Sequence, residues 1–271
     1  MPVNAGRVDA IKVKIDRGRK HIADASGFID SYLSRNPFSV STRRDPQTRR
    51  LIYFVNNVDQ PDPQLAGIVG DALHNLRSSL DHIAYRLVEN GSGQPPSRRI
   101  YFPIFDDRTN YESDGHRQVR GASPNAVQVI DAIRPYREGN SRLWQLHRLN
   151  IVDKHRLLLM GGAVFDSVNI SPTIQRAMHQ AFIHNADLQA RFNSMPMPDL
   201  FLHPADNLFP LMAGAELYID APDAEPHPHT TFRFTVSVGD AEILHGEPIV
   251  PALTEMANAV EAVLNQLASH I

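Results

Sequence analysis

Gly70-Asp-Ala-Leu-His-Asn-Leu-Arg-Ser-Ser-Leu-Asp-His82 reads as part of a helix with two faces. At about 100° per residue, Leu73, Leu76, Leu80, Ile83, Ala84 and Leu87 fall on one side of residues 71–87. Asp71, His74, Asn75, Ser78, Asp81, His82 and Tyr85 fall on the other, with Arg77 and Arg86 at the two borders. The apolar side is a core face. The polar side carries short, directional donors and acceptors rather than long mobile charges, which suits a hydrogen-bonded network or a site. A second helix, expected over 141–160 with Ser141 as its cap, places His147, Asn150 and Lys154 on one stripe, flanked by Asp153 and His155. The expectation is that the two stripes face one another, across a bundle or across a dimer axis.

Working outward, Ile11, Ile15, Gly18, Ile22, Ala25, Ile29 and Leu33 recur in steps of four and three, which predicts a helix ending at Asn36-Pro37. Phe38–Thr42 and Arg50–Val55 read as strands joined by a turn at Asp45-Pro-Gln-Thr48. Asp62-Pro63 opens the two-faced helix, which should stop at Asn90-Gly91. An irregular crossing with at most one short strand is expected up to Ala122. Ser123-Pro124 then caps a helix through Ile133. Strands are expected at 163–170, 216–220 and 231–238, the last turning at Gly239-Asp240 into 241–244, with one helix over 174–192 between them. Val250, Leu253, Met256, Val260, Val263, Leu264 and Leu267 predict a strong final helix.

These elements add up to an α+β fold, a predominantly helical bundle packed with a small, mostly antiparallel β-sheet. The bundle is built on residues 6–35, 62–89, 124–134, 141–160 and 250–270. The expected organisation is a single domain over 1–271. Its helical part, 1–162, holds the hairpin near 38–55; a mixed part, 163–245, is closed by the helix at 250–270.

With 42% apolar and 21% charged residues, the chain can bury a real core. Its net charge of -3 exerts no general pull on nucleic acid or anionic membrane. The lack of cysteine excludes disulfides, thiolate metal sites and cysteine nucleophiles. Residues 1–20 are rich in charge with no apolar run, and no stretch reaches the roughly 18 apolar residues of a membrane helix. The expectation is a cytoplasmic protein with no membrane partner. No phosphate-binding loop, dinucleotide fingerprint or hydrolase elbow is present.

The block Gly70–His82, followed by Asp153-Lys-His-Arg156, resembles a widespread group of uncharacterised bacterial proteins. More distantly, Arg77-Ser-Ser-Leu-Asp-His82 is similar to the Arg-x4-His element of HEPN-type helical ribonucleases. That resemblance implies a metal-independent endoribonuclease that acts on RNA as a homodimer. Arg77 would stabilise charge on the phosphate and His82 would move the proton, with Ser78 as the polar residue after the arginine. Asp71, His74, Asn75, His147, Asn150, Lys154 and His155 would complete the binding surface. Arg77 and His82 lie roughly 140° apart on the wheel, so a complete site implies two copies of the helix.

Two other readings fit the same residues. The stripe is equally a buried polar network or dimer interface in a non-enzymatic interaction protein. A metal-dependent hydrolase would draw on His74, His82, His147 and His155 with Asp71, Asp81 or Asp153. His74 and His82 stand about 12 Å apart along the axis, too far to share one ion. No metal set and no cofactor is therefore expected. Asp153–Arg156 also reads as the charged end of a helix, Glu225-Pro-His-Pro-His229 as a rigid surface loop, and Trp144 as a core or interface anchor.

Overall fold

The computed structural model describes residues 3–96, 100–156, 161–195, 197–205, 208–238, 241–244 and 246–271. The chain runs α1 (Val3–Ser34), β1 (Phe38–Arg44), β2 (Arg50–Val58), α2 (Gln64–Ser92), α3 (Arg108–Gln118), α4 (Pro124–Ile133) and α5 (Ser141–Arg156). It continues through β3 (Gly161–Asn169), α6 (Ser171–Phe182), α7 (Ala186–Ser194), β4 (Phe201–Leu202), β5 (Glu216–Pro222), β6 (Phe232–Val238), α8 (Ala241–Leu244) and α9 (Ile249–Leu267). This is an α+β fold. Among the described residues no helix is long and apolar enough to cross a membrane.

The chain forms two compact units. The first comprises 1–30, 62–161 and 238–271; the second comprises 31–61 and 162–237. The hairpin β1–β2 thus groups with the later strands and not with the helices that flank it in the chain.

The first unit is helical. α2, α5 and α9 pack on one another. Leu73, Leu76, Leu80 and Ile83 of α2, Leu143, Leu146 and Leu149 of α5, and Leu253, Met256 and Val260 of α9 are all fully buried. Burial of each such side chain is worth about 1.5–3 kcal/mol, so the apolar face of α2 is a main support of the unit.

α2 outruns its expected end. Gly91 does not stop the helix; the left-handed Gly93 does, its N–H bonding Glu89 O at 3.0 Å. Gly91 instead allows close approach. A Cβ there would lie 2.3 Å from the carbonyl oxygen of Gly121 and 2.7 Å from the Ser123 nitrogen. Gly91→Ala is therefore expected to destabilise the protein by about 1–3 kcal/mol through forced backbone shifts. An exposed helical glycine would instead gain about 1 kcal/mol from the same change. Urea denaturation of the variant distinguishes the two, and a stabilised variant would refute the packing argument.

Three further boundaries differ from expectation. The polar stretch before Ala122 holds α3, capped by Asp107, whose side chain accepts from Asn110 N at 2.8 Å. α3 is anchored by the buried Tyr111, and its other residues are too polar to show an amphipathic period. The cap of α5 is Asn140, whose Oδ1 accepts from Leu143 N at 3.2 Å, and not Ser141. Residues 241–244 form the short helix α8 rather than a returning strand; Gly239 and Asp240 lie outside the described residues, as do residues 157–160.

The second unit carries two three-stranded antiparallel sheets, ordered β1-β2-β5 and β4-β3-β6. β2 pairs antiparallel with β1 (Val40↔Val55, Thr42↔Tyr53) and with β5 (Ile52↔Ile219, Tyr53↔Tyr218). The early hairpin and the later strands therefore share a sheet through β5, and the remaining strands form another. Val55, Ala163, Phe165, Val168, Leu211 and Leu217 make the core. The single helix expected over 174–192 is two, α6 and α7, divided where Asn185 caps the second by accepting from Leu188 N at 3.1 Å.

Candidate functional site

One border of the polar stripe of α2 meets α5 within one chain. Near the start of α2, the bare Gly70 leaves room for Asp153 of α5, whose carboxylate oxygens would lie 2.7 and 2.8 Å from a Cβ at that position. Two turns further along α2, Arg77 Nε donates to His147 Nδ1 at 3.2 Å. The contacts advance along α2 as they retreat along α5, so the helices are antiparallel. The two sequence blocks, Gly70–His82 and Asp153–Arg156, are thus joined by a direct contact.

Arg77 is the centre of the arrangement and is 5% exposed. Besides His147, its Nη1 donates to Asp81 one turn on, and its Nη2 donates to the carbonyl oxygen of Phe102 at 3.1 Å. Asp81 in turn accepts from the Phe102 N–H at 2.9 Å. Arginine and aspartate together satisfy both the backbone donor and the backbone acceptor of one residue, Phe102, in the crossing segment. No sheet does so, because the described residues of that segment form no strand; their one bridge is Phe105 with Tyr136. The Phe102 side chain is fully buried, so an unpaired backbone there would carry the full desolvation cost. Phe102 was not among the residues expected at the site, and Asp81 was expected only on the polar face and as a candidate metal ligand. The i,i+4 spacing of Arg77 and Asp81 was the only sequence signal for their pairing.

His147 is held neutral. Burial and then the Arg77 charge, with smaller effects from Arg148 and Lys154 against Asp106, lower its pKa to about 4. A neutral ring is what the geometry requires, since Nδ1 must accept from Arg77. One turn later Asn150 is 3% exposed, and its Oδ1 has no partner among the described residues. The Asp153 carboxyl is shifted above its ordinary value by burial and by Asp71, with His74 and Lys154 opposing.

Compared with protein-family models, curated proteins and solved structures, the chain matches none.

The other expected residues are less engaged. Asp71, His74 and Lys154 are exposed, while Asn75 and Ser78 are half-buried. Asn75 donates back to Asp71 O of its own helix at 2.8 Å. The side chain of His155 lies outside the described residues. His82 is exposed, and the structure does not bring it to Arg77. The charged groups that bear on it are Lys14, Asp81 and Arg86. Its imidazole is shifted below its ordinary value by partial burial first, then by Lys14 and Arg86, against Asp81. Among the described residues no group of three histidine or carboxylate side chains could hold a metal ion.

Two polar features of this unit lie outside the stripe. Trp144 is buried and donates from Nε1 to Asp106 at 2.8 Å. Tyr111 and His116 both bond Asp131 Oδ1, at 2.6 and 2.9 Å, beside a cavity lined in part by Arg108 and Arg134. Nothing in the spacing of those residues marked them in the sequence.

Proposed function

We propose that the polar stripe of α2 is a structural lock, and that the protein is a non-enzymatic interaction protein as far as this stripe is concerned. The observation that carries this reading is the engagement of Arg77. Its Nε, Nη1 and Nη2 each donate to a fixed acceptor at a buried position. An arginine that stabilises a transition state must reach the phosphate. This one would first have to abandon His147, Asp81 and Phe102.

One observation favours a second reading, a HEPN-like endoribonuclease. His82 is exposed, its lowered pKa keeps it neutral near pH 7, and two cations stand near it. A neutral imidazole there suits removal of a proton from a ribose 2′-hydroxyl. This reading requires a homodimer with RNA as its ligand, in which Arg77 of the second copy leaves His147, Asp81 and Phe102 to reach the phosphate. An RNA-cleavage assay with and without chelator, comparing wild type with His82→Ala, separates the two. The expected result is no cleavage by either protein. Cleavage by wild type that disappears in His82→Ala overturns the structural reading, and cleavage lost on adding chelator points to a metal hydrolase instead.

A further inference from the structure

In the second unit α6 and α7 border a cavity of about 410 Å3 with chemically distinct walls. Phe192, Met195 and Met197 form an apolar side, and Met195 is 65% exposed, so no described part of the chain covers it. Among the described residues Arg176 is the one side chain with a fixed charge in the lining, and His179 and His227 are the other titratable groups. The volume lies in the usual range for small-molecule sites, about 300–1,000 Å3.

The arginine is anchored from behind. Asp220, 3% exposed, sits with its Oδ2 3.5 Å from Arg176 Nη1. That carboxylate is already served by Ala221 N at 2.8 Å and by Thr173 Oγ1 at 3.3 Å. The long ion pair therefore fixes the guanidinium without using up its five donors. No hydrogen bond from Arg176 to another described residue accompanies it.

His227 adds a second donor. Its Nδ1 accepts from His229 N at 3.2 Å, which places the proton of the neutral ring on Nε2. Burial, then Arg176 and His229, lower its pKa, so the ring is neutral at pH 7. Pro226 and Pro228 stiffen the loop that presents it. The Glu225-Pro-His-Pro-His229 segment, expected to be no more than a rigid surface loop, thus supplies a wall of the cavity.

We propose that this cavity binds a small organic carboxylate with an apolar body, its acid group on Arg176 and its hydrocarbon against Phe192, Met195 and Met197. A phosphate monoester is a poorer match. A dianion calls for a second fixed cation, and among the described residues the lining holds only Arg176, itself partly offset by Asp220. An alcohol or hydrocarbon would offer the donors that Asp220 leaves free on the guanidinium no charged acceptor. The site lies on elements other than the α2–α5 stripe and stands apart from the reading given for that stripe.

The test is calorimetric titration of the full chain at pH 7.5 with straight-chain carboxylates from acetate to octanoate, with 1-octanol and octyl phosphate as controls. One octanoate per chain is expected, with affinity rising about fourfold per methylene until the apolar wall is covered. Octanol should bind at least tenfold more weakly, and octyl phosphate no more tightly than octanoate. Arg176→Ala should weaken octanoate binding at least tenfold. Should that variant fail to fold because Asp220 is left buried and unpaired, Met195→Glu decides. The position is exposed, so the fold should persist, and the new carboxylate should repel the ligand by a similar factor. Absence of saturable octanoate binding by wild type, equal binding of octanol, tighter binding of octyl phosphate, or unchanged binding in Met195→Glu would each overturn the proposal.

Discussion

Arg77→Ala is expected to lower stability by about 3 kcal/mol, and to do so through Phe102 rather than through any surface effect. Removing one member of a buried ion pair typically costs about 3–5 kcal/mol, because the charge left behind is uncompensated. The value here should fall at the low end, since the Asp81 side chain keeps 29% exposure and can recover some hydration. What cannot be recovered is the Phe102 carbonyl, which loses its donor at a buried position. Arg77→Lys should restore little, because a single ammonium cannot span His147, Asp81 and Phe102 at once. Asp81→Asn should cost less than Arg77→Ala, as the amide oxygen can still accept from the Phe102 N–H. Urea unfolding measures the losses, and hydrogen exchange at the Phe102 amide locates them. A loss below about 1 kcal/mol for Arg77→Ala, in the range of an exposed pair, would show that the crossing segment is held by other contacts.

Acidification should destabilise the same lock, in a pH window set by His147. Its folded pKa of about 4 lies below the ordinary histidine value of 6.5. Between those values the unfolded chain binds more protons than the native one, so stability rises with pH. The contribution is complete above about pH 6.5 and is lost progressively as pH falls toward 4. Over the whole window it amounts to about 3 kcal/mol. The cause is local: a protonated ring can no longer accept from Arg77 Nε and sets a second cation beside it. His147→Asn retains an acceptor that does not titrate, so the variant should lose this slope while remaining folded. Asp153 works in the opposite sense, because its raised pKa favours the protonated form in the fold. Since Asp153 is present in both proteins, the difference between the wild-type and His147→Asn curves isolates the histidine. Parallel curves from pH 4 to 7 would refute the assignment.

How much of this could be read from the chain depended on whether the decisive partner was near in sequence. The apolar face of α2 was legible, because helical periodicity alone determines it: Leu73, Leu76, Leu80, Ile83, Ala84 and Leu87 are all buried. The fate of Arg77 was not. It stands at the border of the wheel, where a long side chain can turn either way. What turns it inward is His147 seventy residues on and a backbone carbonyl at Phe102, neither of which leaves a periodic trace. α3 was missed because its sole large buried side chain, Tyr111, gives no repeat. The division between α6 and α7 at Asn185 was hidden by a continuous apolar rhythm across it. The two helices were expected to face one another through their polar stripes; they meet through Gly70 and Arg77 at one border of the α2 stripe, and Asp71, His74 and His82 stay exposed.

The interleaving of the two units along the chain has a consequence for the order in which a ribosome delivers them. Residues 31–61 and 162–237 complete the second unit before α9 has been synthesised. The first unit starts earlier but finishes later, since α2 and α5 pack on α9. Throughout synthesis of some ninety residues after α5, the leucines that α9 will cover have no permanent cover. The unit that begins first is therefore the one that stays longest dependent on chaperones or on transient collapse, and neither unit can be cut out as one continuous piece of chain.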